Sequence, residues 1–310
     1  MKYLFGPVNS RRLGLSQGID LLPAKICTYD CIYCEVGITT LLTCERSEYT
    51  PTTEIIAEID DLIEKDPTIN ADVFTITASG EPTLHSGLGQ IIRHIKTRTS
   101  KPVVVLTNGS LFPDPEVRQE LMAADIVMPS LDSALTASFN SINRPAACCK
   151  NLPEIIKGIR LFNDEFKGEL WLEILLAAGI NDTNADITAL NKAVQEINPD
   201  RVQLNTVIRP PAESFAQPLT LEQMEHIAGQ FERPVEIIVD FVKKDQGNFS
   251  PFAEDKVLAM LKRRPCTKPD ICEALNINPS SAHKFLTDLE RKGRIKGMNH
   301  YGKRYYQTKN

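Results

Sequence analysis

Cys27-Thr28-Tyr29-Asp30-Cys31-Ile32-Tyr33-Cys34 carries three of the chain's eight cysteines, spaced C-x3-C-x2-C with an aromatic residue before the last. Three thiolates on one short loop suit a soft metal centre. The number of ligands is informative. A structural zinc site takes four protein ligands, and an electron-transfer cubane takes four cysteines. A cubane held by three leaves one iron open to a further ligand. A zinc site completed by histidine needs one close by, and the first histidine is His85.

Outward from the loop, strands alternate with helices. Upstream, residues 18–22 read as a short strand that delivers the chain to the cysteines, and residues 6–12 as irregular structure. Downstream, Thr50 is set to cap a helix with Pro51 in its first turn, and Ile55, Ile56, Ile59, Leu62 and Ile63 recur at helical spacing. The β-rich run 73–78 ends at Ser79-Gly80-Glu81-Pro82. The run 103–106 ends at Thr107-Asn108-Gly109, and 126–131 ends at Asp132. The run 170–176 leads to Gly179-Ile180-Asn181-Asp182. Residues 201–206 form a sixth strand and 235–239 a seventh, with helices over 88–95, 113–124, 153–166, 185–197 and 221–231 between them. This alternation predicts an α/β fold with a parallel sheet. Six or seven units fall short of the eight of a closed barrel, so a partial (β/α)6 barrel is expected. The polar motifs sit at the C-terminal ends of strands, where such sheets gather their chemistry.

Composition and charge divide the chain further. Residues 251–310 carry 13 Lys+Arg against 6 Asp+Glu, a net of +7, whereas residues 1–250 carry 22 against 34, a net of −12. Two modules are expected, at residues 1–245 and 250–310, joined by a linker over 240–252. The second reads as three helices and a hairpin of alternating residues, which resembles a winged helix-turn-helix domain. His283 and Lys284 on its third helix, with Arg294, Lys296, Lys303 and Arg304 on the wing, offer a face for nucleic acid; protein docking is the other use of such a module. No apolar run reaches the ~20 residues of a membrane span and the start does not read as a signal peptide. A cytoplasmic protein that does not engage a membrane, with reduced thiols, is expected.

The cysteine loop, the Ser-Gly-Glu-Pro turn, the Ser130/Asp132 strand end and the Gly-Ile-Asn-Asp turn follow in the order seen in the radical S-adenosylmethionine (SAM) superfamily, which residues 18–239 resemble. Gly6-Pro7-Val8-Asn9-Ser10-Arg11-Arg12-Leu13-Gly14 and the Gly-Glu-Pro-Thr-Leu run are similar to Fe–S oxidoreductases related to the wyosine-forming tRNA enzymes. Those enzymes carry further N-terminal cysteines for a second cluster, and no cysteine precedes Cys27 here. The resemblance implies that Cys27, Cys31 and Cys34 hold a [4Fe-4S] cluster whose open iron binds the amine and carboxylate of SAM. It implies cofactor contacts from Tyr33, Ser79, Gly80, Glu81, Asn108, Ser130, Asp132, Glu173 and Asn205. It also implies a one-electron donor such as flavodoxin or ferredoxin, and a 5′-deoxyadenosyl radical that takes hydrogen from an RNA or protein substrate.

Several residues admit other readings. Asp132 is also placed to cap the following helix, Asn108 to make a tight turn, and Glu173, a carboxylate in an apolar strand, to form an internal ion pair. Arg144 and Arg209 are candidate clamps for a carboxylate or phosphate. Cys44, Cys148, Cys149, Cys266 and Cys272 read as structural, because adjacent cysteines such as Cys148 and Cys149 chelate one metal poorly. A rival function is a regulator whose cluster senses redox state while the winged helix reads DNA.

Overall fold

Continuous β-branched runs such as Val103-Val104-Val105 bury both faces of their strands, and amphipathic helices between them cover the sheet. A computed structural model of the chain describes residues 2–10, 12–66, 69–77, 79–238, 254–275 and 279–309; the side chains of 254–256, 280, 281 and 284 also lie outside the described set. The first part runs β1 (Leu4–Ser10), β2 (Gly14–Asp20), β3 (Ile26–Cys27), β4 (Leu41–Leu42), α1 (Thr52–Lys65), β5 (Val73–Thr77), α2 (Leu88–Arg98), β6 (Val103–Thr107), α3 (Pro115–Leu121) and β7 (Ile126–Pro129). It continues through α4 (Thr136–Ile142), α5 (Leu152–Glu165), β8 (Glu169–Leu176), α6 (Asn184–Ile197), β9 (Arg201–Thr206), α7 (Leu221–Ala228) and β10 (Glu236–Ile237).

The main sheet has eight strands in the order β1-β2-β5-β6-β7-β8-β9-β10. Strand β1 is antiparallel to β2, and the others pair in parallel. Outward residues such as Phe74, Ile76, Val105, Val127 and Leu172 meet α1, α2 and α5 in the principal core, through Ile55, Ile92, Ile95, Ile159 and Phe162. On the inner face Val73, Val104, Met128 and Trp171 pack with Leu13, Leu106 and Ile126. Elsewhere it carries Ser16, Thr75, Glu173, Gln203 and Asn205, so polar chemistry is held on the concave side.

The structure departs from the sequence reading in local ways. Of residues 6–12, expected to be irregular, 6–10 belong to β1, which pairs with β2 from Leu4↔Ile19 to Ser10↔Gly14. Thr50 does not cap α1; Pro51 holds the N-cap position without a side-chain bond, and Glu48 accepts from Thr52 N at 2.8 Å. Helix α4 was not legible as a periodic run. The linker expected over 240–252 lies outside the described residues.

The C-terminal part contains α8 (Glu254–Arg263), β11 (Cys266–Thr267), α9 (Lys268–Leu275), α10 (Pro279–Arg291), β12 (Ile295–His300) and β13 (Lys303–Thr308). Its strands form a sheet of order β11-β13-β12. Val257, Leu261, Ile271, Leu286, Leu289, Ile295 and Tyr306 make its core, joined by Val8 of β1. Tyr305 donates its hydroxyl to Ile208 O at 2.7 Å, a further tie to the segment that follows β9. Among the described residues, no helix is long and apolar enough to cross a membrane.

Candidate metal centre and cofactor site

The cysteine loop is pinned from two sides by backbone bonds. Asp30 N and Ile32 N each donate at 3.0 Å, to Asn143 O and Ile142 O, and Ala146 N donates to Thr28 O at 2.8 Å. On the other side, Glu81 N donates to Ile26 O at 3.0 Å. Gly80 makes that approach possible, since a Cβ there would lie 1.7 Å from Ile26 O. In the sequence this glycine reads as giving a ligand access; in the structure it is required by the backbone of the cysteine loop itself.

Side chains from neighbouring strand ends reach the sulfurs. Asn108 Nδ2 lies 3.5 Å from Cys27 Sγ and donates to Thr28 Oγ1 at 2.8 Å. Asn143 Nδ2 lies 3.4 Å from Cys31 Sγ and donates to Asp132 Oδ2 at 2.6 Å. Sequence reasoning missed Asn143, which sits in the turn after α4 and reaches Cys31 only through the fold.

Two buried carboxylates hold this arrangement. Glu81 accepts from Thr107 Oγ1 and Asn108 N at 2.6 Å each, and from Thr83 N at 3.0 Å, so it ties the turn after β5 to the end of β6. Burial raises its carboxyl above the usual range against those donors. Asp132 accepts from Tyr33 Oη at 2.6 Å and Leu175 N at 3.0 Å besides Asn143, and its carbonyl accepts from Asn181 Nδ2 at 2.7 Å. Helix α4 begins four residues later with Leu135 at its N-cap, so Asp132 is not a cap. Ser79 donates its hydroxyl to Asp20 Oδ2 at 2.6 Å.

Glu173 and Asn205 meet on the inner face, with Asn205 Nδ2 donating to Glu173 Oε1 at 3.1 Å. Ser130 bridges the Glu173 backbone. Arg12, from the tip of the β1–β2 hairpin, pairs with Glu173 Oε2 at 2.7 Å, so Glu173 does form an internal ion pair. The two arginines weighed in the sequence are both paired: Arg144 with Glu213 at 2.6 Å, and Arg209 with Glu35 at 3.0 Å.

A cavity of 1010 Å³ lies against the inner face, between it and the C-terminal part. Its walls include Ser16, Thr75, Thr77 and Ser79 from the sheet side and Glu35 and Val36 just after Cys34. Arg263, Lys268, His283, Lys303 and Arg304 line it from the C-terminal part. Three of the basic residues read as a nucleic-acid face thus border the same space as Ser79. Arg263 lies 3.6 Å from Asp20 Oδ2 and stacks over the Phe5 ring at 4.2 Å.

The donor set fits an iron–sulfur cluster. Burial, then the charge of Glu81, pushes the Cys27 thiol up to about 12. Burial, then Asp132, holds Cys31 well above its usual value. Such thiols ionise when a cationic metal claims them, and the amides of Asn108 and Asn143 are placed to donate to the resulting thiolates. Elsewhere, of the cysteines that read as structural, Cys44 and Cys148 form a disulfide with Cys149 beside them, in place of the reduced thiols expected from the sequence.

A sequence profile of the Radical SAM superfamily matches residues 21–191. The chain is 33% identical over 313 residues to the UPF0026 protein of Methanocaldococcus jannaschii, covering 99% of this chain and 96% of that protein. It is 36% identical over 298 residues to a Brachyspira hyodysenteriae protein named GTPase Obg, covering 95% of this chain but only 43% of that longer protein. The structure of TYW1 with a lysine–pyruvate adduct bound aligns over 73% of this chain and 74% of its own at a TM-score of 0.52 and 18% identity, a likeness of fold.

Proposed function

We propose a cofactor arrangement and a substrate class for this chain, which belongs to the Radical SAM superfamily and to the family of the UPF0026 proteins. Cys27, Cys31 and Cys34 would hold a [4Fe-4S] cluster, three protein ligands leaving it one position for SAM. When bound and reduced by one electron, this pair supplies a 5′-deoxyadenosyl radical that takes a hydrogen atom from substrate.

The observation that carries the reading is the convergence of Asn108 and Asn143 on the sulfurs of the cysteine loop, with Asp132 holding the Asn143 side-chain amide and Glu81 the Asn108 backbone N–H. Asn108 and Asn143 donate to thiolate sulfur. Asp132 orients Asn143 and Tyr33, while Glu81 orients Asn108. Ser79, Gly80 and Ser130 line the methionine end of the cofactor. Glu173 and Asn205 receive its ribose, and the backbone beside Tyr33 meets the adenine. Ser79 and Gly80 follow the end of β5, so their backbone is within the reach of a ligand at the loop.

The large sheet is read as a partial (β/α)6 barrel over residues 1–245, and residues 250–310 as a winged helix that recruits substrate. His283, Lys303 and Arg304 border the cavity, which supports a polyanionic substrate, RNA in the first instance, entering between the two parts. A flavodoxin- or ferredoxin-like donor in the cytoplasm supplies the electron. The superfamily's radical chemistry favours this enzyme over the redox-sensing regulator.

Electron paramagnetic resonance of the anaerobically reconstituted, dithionite-reduced protein tests the assignment. SAM is expected to change the signal of the reduced cluster in the parent protein. An unchanged signal at saturating SAM removes the open-iron reading.

A further inference from the structure

Five cysteines lie outside the cluster loop, and three of them converge. Cys44 follows β4, whereas Cys148 and Cys149 lie in the turn before α5, more than a hundred residues on. Cys44 and Cys148 are joined in a disulfide, and Cys149 Sγ lies 2.8 Å from Cys44 Sγ. All three sulfurs fall within 4.8 Å of one another, and among the described residues they are the one group of potential metal ligands that does so. The three sulfurs of the cysteine loop do not form such a group.

We propose that, in the reduced protein, Cys44, Cys148 and Cys149 bind a single thiophilic divalent ion of the zinc class, independently of the cysteine loop. Zinc–sulfur bonds of about 2.3 Å at tetrahedral angles put neighbouring sulfurs about 3.8 Å apart, so Cys44 and Cys149, now 2.8 Å apart, need part by only about 1 Å once the disulfide is opened. Adjacent Cys148 and Cys149 serve one ion because their side chains converge with Cys44, which comes from a different part of the chain. Cys149 is buried, Cys44 half-buried and Cys148 exposed, so the ion has both an apolar backing and a path from solvent. Three protein ligands leave the fourth position to water or another small ligand. The disulfide is the oxidised form of the site. A dithiol opens it by supplying two electrons and two protons, and becomes a disulfide itself; the ion then displaces the thiol protons.

The site sits directly behind the cluster loop. Thr43 N donates to Cys27 O at 3.0 Å, one residue before Cys44, and Ala146 N donates to Thr28 O at 2.8 Å, two residues before Cys148. Ser110, which touches Cys149, has its hydroxyl 2.7 Å from that of Thr28. A bound ion would therefore brace the two segments that hold the loop.

The test is metal analysis of the full-length chain under a dithiol reductant, with Zn2+ as the probe and no oxygen. In a Cys27→Ala/Cys31→Ala/Cys34→Ala variant that holds no cluster, one zinc per chain is expected after gel filtration. Adding Cys148→Ser and Cys149→Ser is expected to abolish it. Co2+ in place of Zn2+ is expected to give a sulfur-to-metal charge-transfer band that the same substitutions remove. Circular dichroism identifies variants that keep the fold, and Cys149→Ser alone serves if the pair does not. Absence of zinc from the folded, reduced cluster-free protein overturns the proposal, as does zinc retained without Cys148 and Cys149.

Discussion

Replacing Gly80 by alanine separates two uses of that glycine. The added Cβ would lie 1.7 Å from Ile26 O and 2.5 Å from Ile26 C, where ordinary contact is 3.4–4 Å. Both partners are backbone, so no side chain can swing aside, and the turn and the cluster loop must part by roughly the difference between 1.7 and 3.4 Å. The bond from Glu81 N to Ile26 O, now 3.0 Å, then breaks. Overpacking costs about 1–3 kcal/mol, and leaving a buried donor and acceptor unpaired about 1–3 kcal/mol more. At about 2–4 °C per kcal/mol for a domain of this size, the melting temperature should fall by ~10 °C. Differential scanning calorimetry of the apo protein and iron content after reconstitution are the assays. The expected result is a lower melting temperature with less than half the parent's iron. A Gly80→Ala protein that melts and loads iron like the parent refutes the steric argument. If it then binds SAM weakly, the glycine serves the ligand alone.

Other consequences concern single groups. Replacing Asn143 by leucine removes a donor from Cys31, so the cluster should become harder to reduce, with its potential moving negative in an EPR-monitored titration; an unmoved potential contradicts the donor role. Burial moves Asp132 from 3.8 to about 6 against the donors Tyr33, Asn143 and Leu175 N. The folded apo protein therefore keeps a proton over that window which the unfolded chain has lost, and stability should fall by about 3 kcal/mol as pH rises through it. Denaturant unfolding of Asp132→Asn should lack this component, and identical pH profiles for both proteins would count against it. Glu173→Gln takes the counter-charge from Arg12, and SAM affinity by equilibrium dialysis should weaken about tenfold, or 1.4 kcal/mol; equal affinity removes Glu173 from the cofactor site. Lys303→Ala with Arg304→Ala in the full chain should reduce the salt slope of RNA binding by about 0.7 per lost phosphate contact for single-stranded RNA, whereas an unchanged slope places the RNA elsewhere.

The sheet was legible because its strands are continuous β-branched runs that end in polar turns, and the cysteine loop because its ligands are local. What the sequence hid depends on distance along the chain. Asn143 lies 112 residues from Cys31 and reaches it through the turn after α4. Arg12 meets Glu173 because β1, built on a Gly-Pro sequence that reads as irregular, folds back on β2 and carries its tip beneath the inner face. Gly80 was noticed for the right property, its lack of a side chain, but the neighbour that needs it is a backbone carbonyl 54 residues earlier in the sequence. Cys44 and Cys148 are 104 residues apart, so no spacing rule could pair them. Ser79 and Asp132 read as ligand contacts in the sequence, and the structure shows both holding the scaffold, Ser79 through Asp20 and Asp132 through Tyr33 and Asn143.

The central claim is that three cysteines present a cluster iron to SAM. It is tested most directly by product analysis of the reconstituted protein with SAM and dithionite, without oxygen. The account predicts 5′-deoxyadenosine and methionine in equal amounts, and neither from Cys31→Ala. Protein with a full complement of iron that forms no deoxyadenosine, or a Cys31→Ala variant that forms as much as the parent, contradicts it.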